Sequence, residues 1–212
     1  MKVTVVRDIL AANDRLAAEN QALFDRLKIR VVNLMSAPGA GKTTLLERTV
    51  AALGKEKRIG VIEGDIQTSL DAARIERAGA QAVQINTDGA CHLDANMIAA
   101  AARQLDLEAL DLLVVENVGN LVCPAEFKVG EHAKAMILSL AEGDDKPAKY
   151  PLMFHESRVL LINKMDLAPY VDASADRIEE TARKINPSIE VIRVSCKTGE
   201  GLEGWYRWLR SL

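Results

Sequence analysis

The chain is poor in the residues that usually announce chemistry or location. Of 212 residues only three are cysteine and three histidine. Three thiols cannot all pair within one chain, and cytosolic thiols stay reduced, so each cysteine is read as a packing, reactive or ligand residue. There is no excess of basic residues: 27 Lys and Arg against 30 Asp and Glu leave a net charge of −3 and a pI near 5.7. That balance supplies no field for nucleic acid or an anionic membrane, and neither is expected as a partner. No apolar run approaches a membrane span, and "MKVTVVRDIL" reaches Arg7 and Asp8 before a signal-peptide core could form. A cytoplasmic protein is expected.

What is present is an alternation of short β-branched runs with longer helical patterns. The candidate strands are 29–35, 58–64, 82–87, 111–117, 133–140, 158–164 and 189–195, apolar throughout, as for a parallel sheet buried on both faces. Helical patterns occupy 43–54, 68–78, 93–105, 173–186 and 200–211. Ahead of them, 8–28 reads as an amphipathic leading helix with an apolar stripe of Ile9, Leu16, Leu23 and Leu27. The fold class is α/β, a doubly wound, mostly parallel sheet. Residues 1–212 form one domain, with 1–28 packed on it as the leading helix. "EGDDKPAKYPLMFHES" (142–157), with two prolines and mixed charge, is expected to be a long surface loop.

The first strand runs into "SAPGAGKTTLLERTV" (36–50), which fits G-x-x-x-x-G-K-[ST] except that Ser36 holds the first glycine's place. In such a loop, Gly39, Ala40 and Gly41 turn their amides toward phosphate and a helix start adds its dipole. Lys42 then reaches the β- and γ-phosphates, Thr43 ligates Mg2+, and Thr44 completes the cradle. Ser36 is expected only to open the loop. "LLINKMD" (160–166) supplies N-K-x-D: Asn163, Lys164 and Asp166, whose carboxylate accepts from guanine N1–H and the exocyclic amine. Adenine offers neither donor there, so discrimination is strong. "VSCKTGEG" (194–201) places Ser195, Cys196 and Lys197 where a base-closing loop is expected, with Cys196 as a small packing residue. GTP or GDP with Mg2+ is the expected ligand.

Asp65, in "IEGDIQTSLDA" (62–72), is the expected Mg2+ partner alongside Thr43, and Glu116, in "VVENVGN" (114–120), stands where a switch aspartate is usual. Lys42, Asp65 and Glu116 are the expected catalytic residues. Asn120, not glutamine, follows Gly119, so intrinsic hydrolysis is expected to be slow, below about one turnover per second.

"TDGACHLDANM" (87–97) sets Cys91 beside His92, and "NLVCPAEF" (120–127) sets Cys123 four residues past Gly119. The strands before both segments end on the phosphate face of a parallel sheet. Two thiolates and an imidazole suit Ni2+ or Zn2+, with a fourth ligand left to water or a second copy of the chain. The segment 116–119 continues into the loop of Cys123, so nucleotide state is expected to alter the metal site. His132 and His155 read as ordinary surface or loop residues.

With the P-loop, "EGD", "ENVGNLVCP", "NKMD", "SCKTGEG" and the Cys91–His92 pair in order, the chain resembles the HypB family of nickel-inserting GTPases across its whole length. The resemblance implies a G domain of the SIMIBI class of P-loop NTPases, nickel or zinc at Cys91, His92 and Cys123, and a GTP-dependent homodimer. It also implies as partners a HypA-type maturation protein, a SlyD-type nickel chaperone in some bacteria, and the large subunit of nickel-iron hydrogenase. Two family features are not matched. No Cys-x-x-Cys-Gly-Cys motif or His-rich leader stands near "MKVTVVRD", so nickel storage there is not expected. Ala37 occupies the place of the signature lysine of dimeric SIMIBI ATPases, which leaves Lys146 or Lys149 as candidates for a charge supplied across a dimer. Rival readings are a urease-type nickel GTPase, which should carry Cys-Pro-His, a nucleotide-independent metal-storage module, and a small-molecule kinase, which has no use for N-K-x-D.

Overall fold

The computed structural model describes residues 4–65 and 70–212. Seven parallel strands form one sheet in the order β3-β2-β4-β1-β5-β6-β7: β1 (Arg30–Ser36), β2 (Ile59–Asp65), β3 (Gln81–Asn86), β4 (Leu112–Glu116), β5 (Ala133–Ser139), β6 (Val159–Asn163) and β7 (Glu190–Arg193). The helices are α1 (Thr4–Leu27), α2 (Lys42–Leu53), α3 (Leu70–Ala78), α4 (Ala95–Ala102), α5 (Cys123–Glu126), α6 (Lys146–Lys149), α7 (Pro151–Glu156), α8 (Ala175–Ile185) and α9 (Leu202–Arg210). Each expected strand is found within two residues of its expected ends. The first two residues of the helix expected over 68–78 lie outside the described residues.

Strand alternation sends one set of side chains to each face. Val32 and Leu34 of β1 join Leu45, Leu46 and Val50 of α2, Ile75 of α3 and Trp205 of α9 in one core. On the opposite face Val31, Ile62 and Leu113 meet Phe24 of α1 and Ile98 of α4, while Met136, Leu138 and Leu160 meet Phe154 of α7 and Ile178 of α8. Trp205 is fully buried and its Nε1–H donates to Thr49 Oγ1 at 2.9 Å, so its one polar atom is satisfied.

Two expectations are corrected. The buried stripe of α1 is Asn13, Ala17, Asn20 and Phe24, while Ile9 and Leu16 are exposed. The helix is held by polar hooks that a hydrophobic pattern does not register. Asn13 Oδ1 accepts from Ala95 N, and Asn20 Nδ2 donates to Ala95 O and Val129 O. At its end Lys28 is left-handed (φ 60) and Ile29 N returns to Phe24 O, closing the last turn. The second correction concerns 142–157: this stretch folds into α6 and α7, each with proline in its first turn, and buries Met153 and Phe154.

Candidate nucleotide and metal sites

The parallel sheet places the C-terminal ends of β1, β2, β4 and β6 along one edge, and the loops that follow them build the sites. Between β1 and α2 the chain turns through Gly39 (φ 73) and Gly41 (φ 106). A Cβ at Gly41 would stand 2.5 Å from Asn163 Nδ2, so glycine is needed there for conformation and for space. Buried Lys42 donates from Nζ to Ser36 Oγ at 2.9 Å. Ser36 therefore does more than open the loop: it holds the lysine, and this corrects the expectation. Burial lowers the Lys42 pKa, opposed by the charges of Glu116 and Glu63.

A cavity of about 420 Å³ lies over this loop, walled by Gly39, Lys42, Thr43, Glu63, Asp65 and Glu116. Thr43 Oγ1 donates to Glu116 Oε1 at 3.0 Å. Glu63 and Glu116 are register partners on β2 and β4, and each keeps a buried Oε2 with no hydrogen-bond partner. Desolvation, first of all, raises Glu63 to about 8 and Glu116 to about 7. Glu63, Asp65 and Asp71 bring carboxylate oxygens within 4.8 Å of one another. Oxygen-only and at most half-exposed, this carboxylate cluster fits a hard divalent cation such as Mg2+. Arg74 of α3 lines the same cavity, gripped by Glu47 (2.7 Å) and Asp71 (3.0 Å). Asp71 and Arg74 were not singled out from the sequence, where nothing ties a mid-helix arginine to a phosphate loop.

Across the P-loop, a second cavity of about 470 Å³ is lined by Thr44, Arg48, Asn163, Lys164, Asp166, Cys196 and Lys197. Three of its side chains, Asn163, Lys164 and Asp166, already have partners. Asn163 Nδ2 donates to Ala40 O and its Oδ1 accepts from Cys196 N. Lys164, left-handed at φ 62, donates from Nζ to Gly39 O at 2.8 Å. Ser195 Oγ donates to Asp166 Oδ1 at 2.6 Å, which fixes that carboxylate's rotamer. Cys196 is buried in the core and desolvation pushes its thiol up to about 11, as suits a small packing residue. Arg48, also unanticipated, donates to Lys197 O and pins the closing loop to α2.

Cys91, His92 and Cys123 converge. Cys91 Sγ lies 3.2 Å from Cys123 Sγ and 3.6 Å from His92 Nδ1, and the three donor atoms fall within 4.8 Å of one another. A tetrahedral metal with thiolate bonds near 2.3 Å needs sulfurs about 3.7 Å apart, so a small opening of the pair admits one ion. The His92 ring packs on Phe127 with centroids 3.9 Å apart, and burial lowers its pKa, which keeps a lone pair for a metal. The Cys123 pKa is raised, first by its hydrogen bond with Cys91. Asn120 donates from Nδ2 to Cys91 O at 3.1 Å, so the residue after Gly119 is engaged with the cysteine loop. Gly119 itself presses on the P-loop: a Cβ there would meet Pro38 Cα and N at 2.9 Å.

His132 and His155 lie outside these sites, as expected. His132 is a half-buried residue of the loop before β5: its Nδ1 accepts from Val31 N and its Nε2 pairs with Asp25 at 2.9 Å. Its job is to tie the start of β5 to β1. His155 is exposed and contacts Glu156. Lys146 and Lys149 both pair with Asp145, and Lys146 borders a groove with Ala37, Pro38 and Gly119.

The profile of the CobW/HypB/UreG nucleotide-binding domain matches residues 30–193. The hydrogenase maturation factor HypB of Azotobacter vinelandii is 53% identical over 205 residues, covering 97% of this chain and 68% of that protein. The crystal structure of HypB from Helicobacter pylori in complex with nickel superposes with a TM-score of 0.90 at 39% identity, covering 94% of each chain. The signal recognition particle receptor FtsY of Elizabethkingia anophelis, at 15% identity and a TM-score of 0.57, covers 86% of this chain and 65% of that one and shares the SIMIBI-type fold alone. On these grounds the chain belongs to the HypB family of hydrogenase maturation factors.

Proposed function

We propose that the protein is a GTP-hydrolysing metallochaperone that carries nickel for hydrogenase maturation, with nucleotide state setting both dimerisation and metal affinity. The observation that carries this reading is the contact between the three parts: Gly119 lies against Pro38 of the P-loop while Asn120, the next residue, holds the Cys91 carbonyl. Phosphate sits on the amides of 39–44 with Lys42 as its counter-charge, and the guanine base meets Asp166. Thr43 and Asp65 would hold Mg2+, with Glu116 beside Thr43, and the bound ion would supply positive charge against the negative charge of the phosphates. Lys42 stabilises the same charge. Asn120 is occupied with Cys91 and does not orient the attacking water, in keeping with slow turnover.

Nickel is the cargo, taken by the Cys91 and Cys123 thiolates and the His92 imidazole, and zinc fits the same donors. The chain works in the cytosol, and no described helix is long and apolar enough to cross a membrane. Its partners are a second copy of itself, a HypA-type protein, a SlyD-type chaperone where present, and the hydrogenase large subunit.

Sedimentation with nickel, in GDP and in a non-hydrolysable GTP analogue, tests the reading. The analogue should drive dimerisation and change nickel binding in the native protein, and the change in nickel binding should vanish in Cys123→Ala. Equal nickel binding in both nucleotide states would reduce the site to a static one.

A further inference from the structure

Between the metal site and the phosphate cavity, whose lining it joins, lies a buried amide that is neither a metal ligand nor part of the phosphate loop. Asn117 follows the last residue of β4 and is wholly buried, as is Asn33 of β1. Its Oδ1 accepts two amides, Leu93 N and Val118 N, both at 3.0 Å, and its Nδ2 donates to Asn33 Oδ1 at 3.1 Å. Its own backbone N donates to Leu34 O, in the central strand. A buried primary amide is costly unless paired, and this one is paired on both ends. Leu93 is the residue after His92, and Val118 precedes Gly119. One oxygen atom therefore pins the cysteine-histidine loop and the start of the switch segment to the same point of the sheet.

We infer that Asn117 is a positioning residue of the metal centre, setting where Cys91 and His92 stand relative to Cys123. The inference rests on the proposed metal site and adds a route to the nucleotide. Glu116, one peptide bond away, accepts from the Thr43 hydroxyl. A change at Thr43 that frees Glu116 displaces the adjoining backbone, and the Asn117 side chain carries the displacement to Leu93 and His92. The other link across the same gap, Asn120 to the Cys91 carbonyl, lies at the surface, whereas the Asn117 link is shielded from water and is the stiffer of the two.

The test uses Ni2+ alone as the metal probe in the full chain, with GDP binding as the control for folding. Asn117→Ala should weaken nickel binding by about tenfold or more, the range found when a group that orients a ligand is removed. It should also shift the thiolate-to-nickel charge-transfer band, and bring the ratio of nickel affinities in GTP analogue and GDP to within about twofold of one, on the expectation that the Asn117 link carries most of the coupling. Asn117→Asp keeps an oxygen before both amides and lets the Asn33 amide turn its unpartnered Nδ2 toward it. It should recover the band and most of the affinity. An Asn117→Ala protein that binds GDP and keeps the native nickel affinity, band and ratio would overturn the inference, and so would an Asn117→Asp protein that binds GDP yet behaves like Asn117→Ala. A native ratio of one would remove nucleotide control while leaving the band and affinity of the variants to decide the positioning role.

Discussion

The two ends of the nucleotide site are built on opposite plans. At the base end Asn163, Lys164 and Asp166 have partners in place: Asn163 links Ala40 to Cys196, Lys164 caps Gly39, and Ser195 fixes Asp166. At the phosphate end two buried carboxylates keep unpartnered oxygens, Thr43 is held by Glu116, and the neighbouring thiols are accessible. A pre-satisfied site can recognise a ligand with little reorganisation, while an unsatisfied one must change when charge arrives. In the proposed reading the contrast gives recognition to one end and switching to the other. The cysteines divide the same way, Cys196 in the core and Cys91 and Cys123 at the surface of the switch.

The largest effect is expected from Lys42→Ala, which removes the only lysine walling the phosphate cavity among the described residues. Turnover under saturating GTP should fall by about 100-fold or more. Next, Asp166→Asn sharpens the recognition side: an amide nitrogen facing guanine donors should weaken GTP binding by at least about 100-fold while improving a xanthine nucleotide, measured by competition. A variant that still prefers GTP would break the claim that this end reads the base. Thiol labelling separates the cysteines without mutation: exposed Cys91 should react fastest, half-exposed Cys123 more slowly because its hydrogen bond with Cys91 raises its pKa, and Cys196 slowest, because burial holds its thiol near 11. Bound nickel should protect the first two and leave Cys196 unchanged.

The smallest effect lies away from both ends, at the Arg58–Asp111 pair (2.9 Å), where the guanidinium's hydrogen bonds hold the Asp111 carboxyl down to about 2. A depressed carboxylate contributes stability that is present above its unfolded value near 3.8 and is lost as pH falls toward 2. The pair is exposed and solvent-screened, so Asp111→Asn should lower Tm by less than about 3 °C at neutral pH. The deficit should shrink toward nothing near pH 2.

Strands and motifs were legible because a doubly covered parallel sheet writes continuous apolar runs, and the P-loop and N-K-x-D are contiguous in sequence. Cys91, His92 and Cys123 could be placed together because parallel strands release their loops at one edge. What escaped was polar and non-local. Asn13 and Asn20 dock α1 through the backbone of Ala95, the first residue of distant α4, so Ile9 and Leu16 misled the stripe. Asn117 sits one residue from Glu116, but nothing in "VVENVGN" says that its oxygen meets Leu93. Residues 142–157 carry turn-forming prolines that here begin short helices, and only burial of Met153 and Phe154 distinguishes the two outcomes.

The central claim is that nucleotide and metal share one free energy of coupling, which must be reciprocal. The direct test is the affinity of the non-hydrolysable GTP analogue with the metal site empty and with it saturated by Ni2+, under conditions that hold the oligomeric state fixed. The account predicts a change in analogue affinity equal to the change in nickel affinity between the analogue and GDP forms, taken relative to the change, if any, in GDP affinity. Identical analogue and GDP affinities with and without nickel would contradict it and separate the two sites into neighbours without linkage.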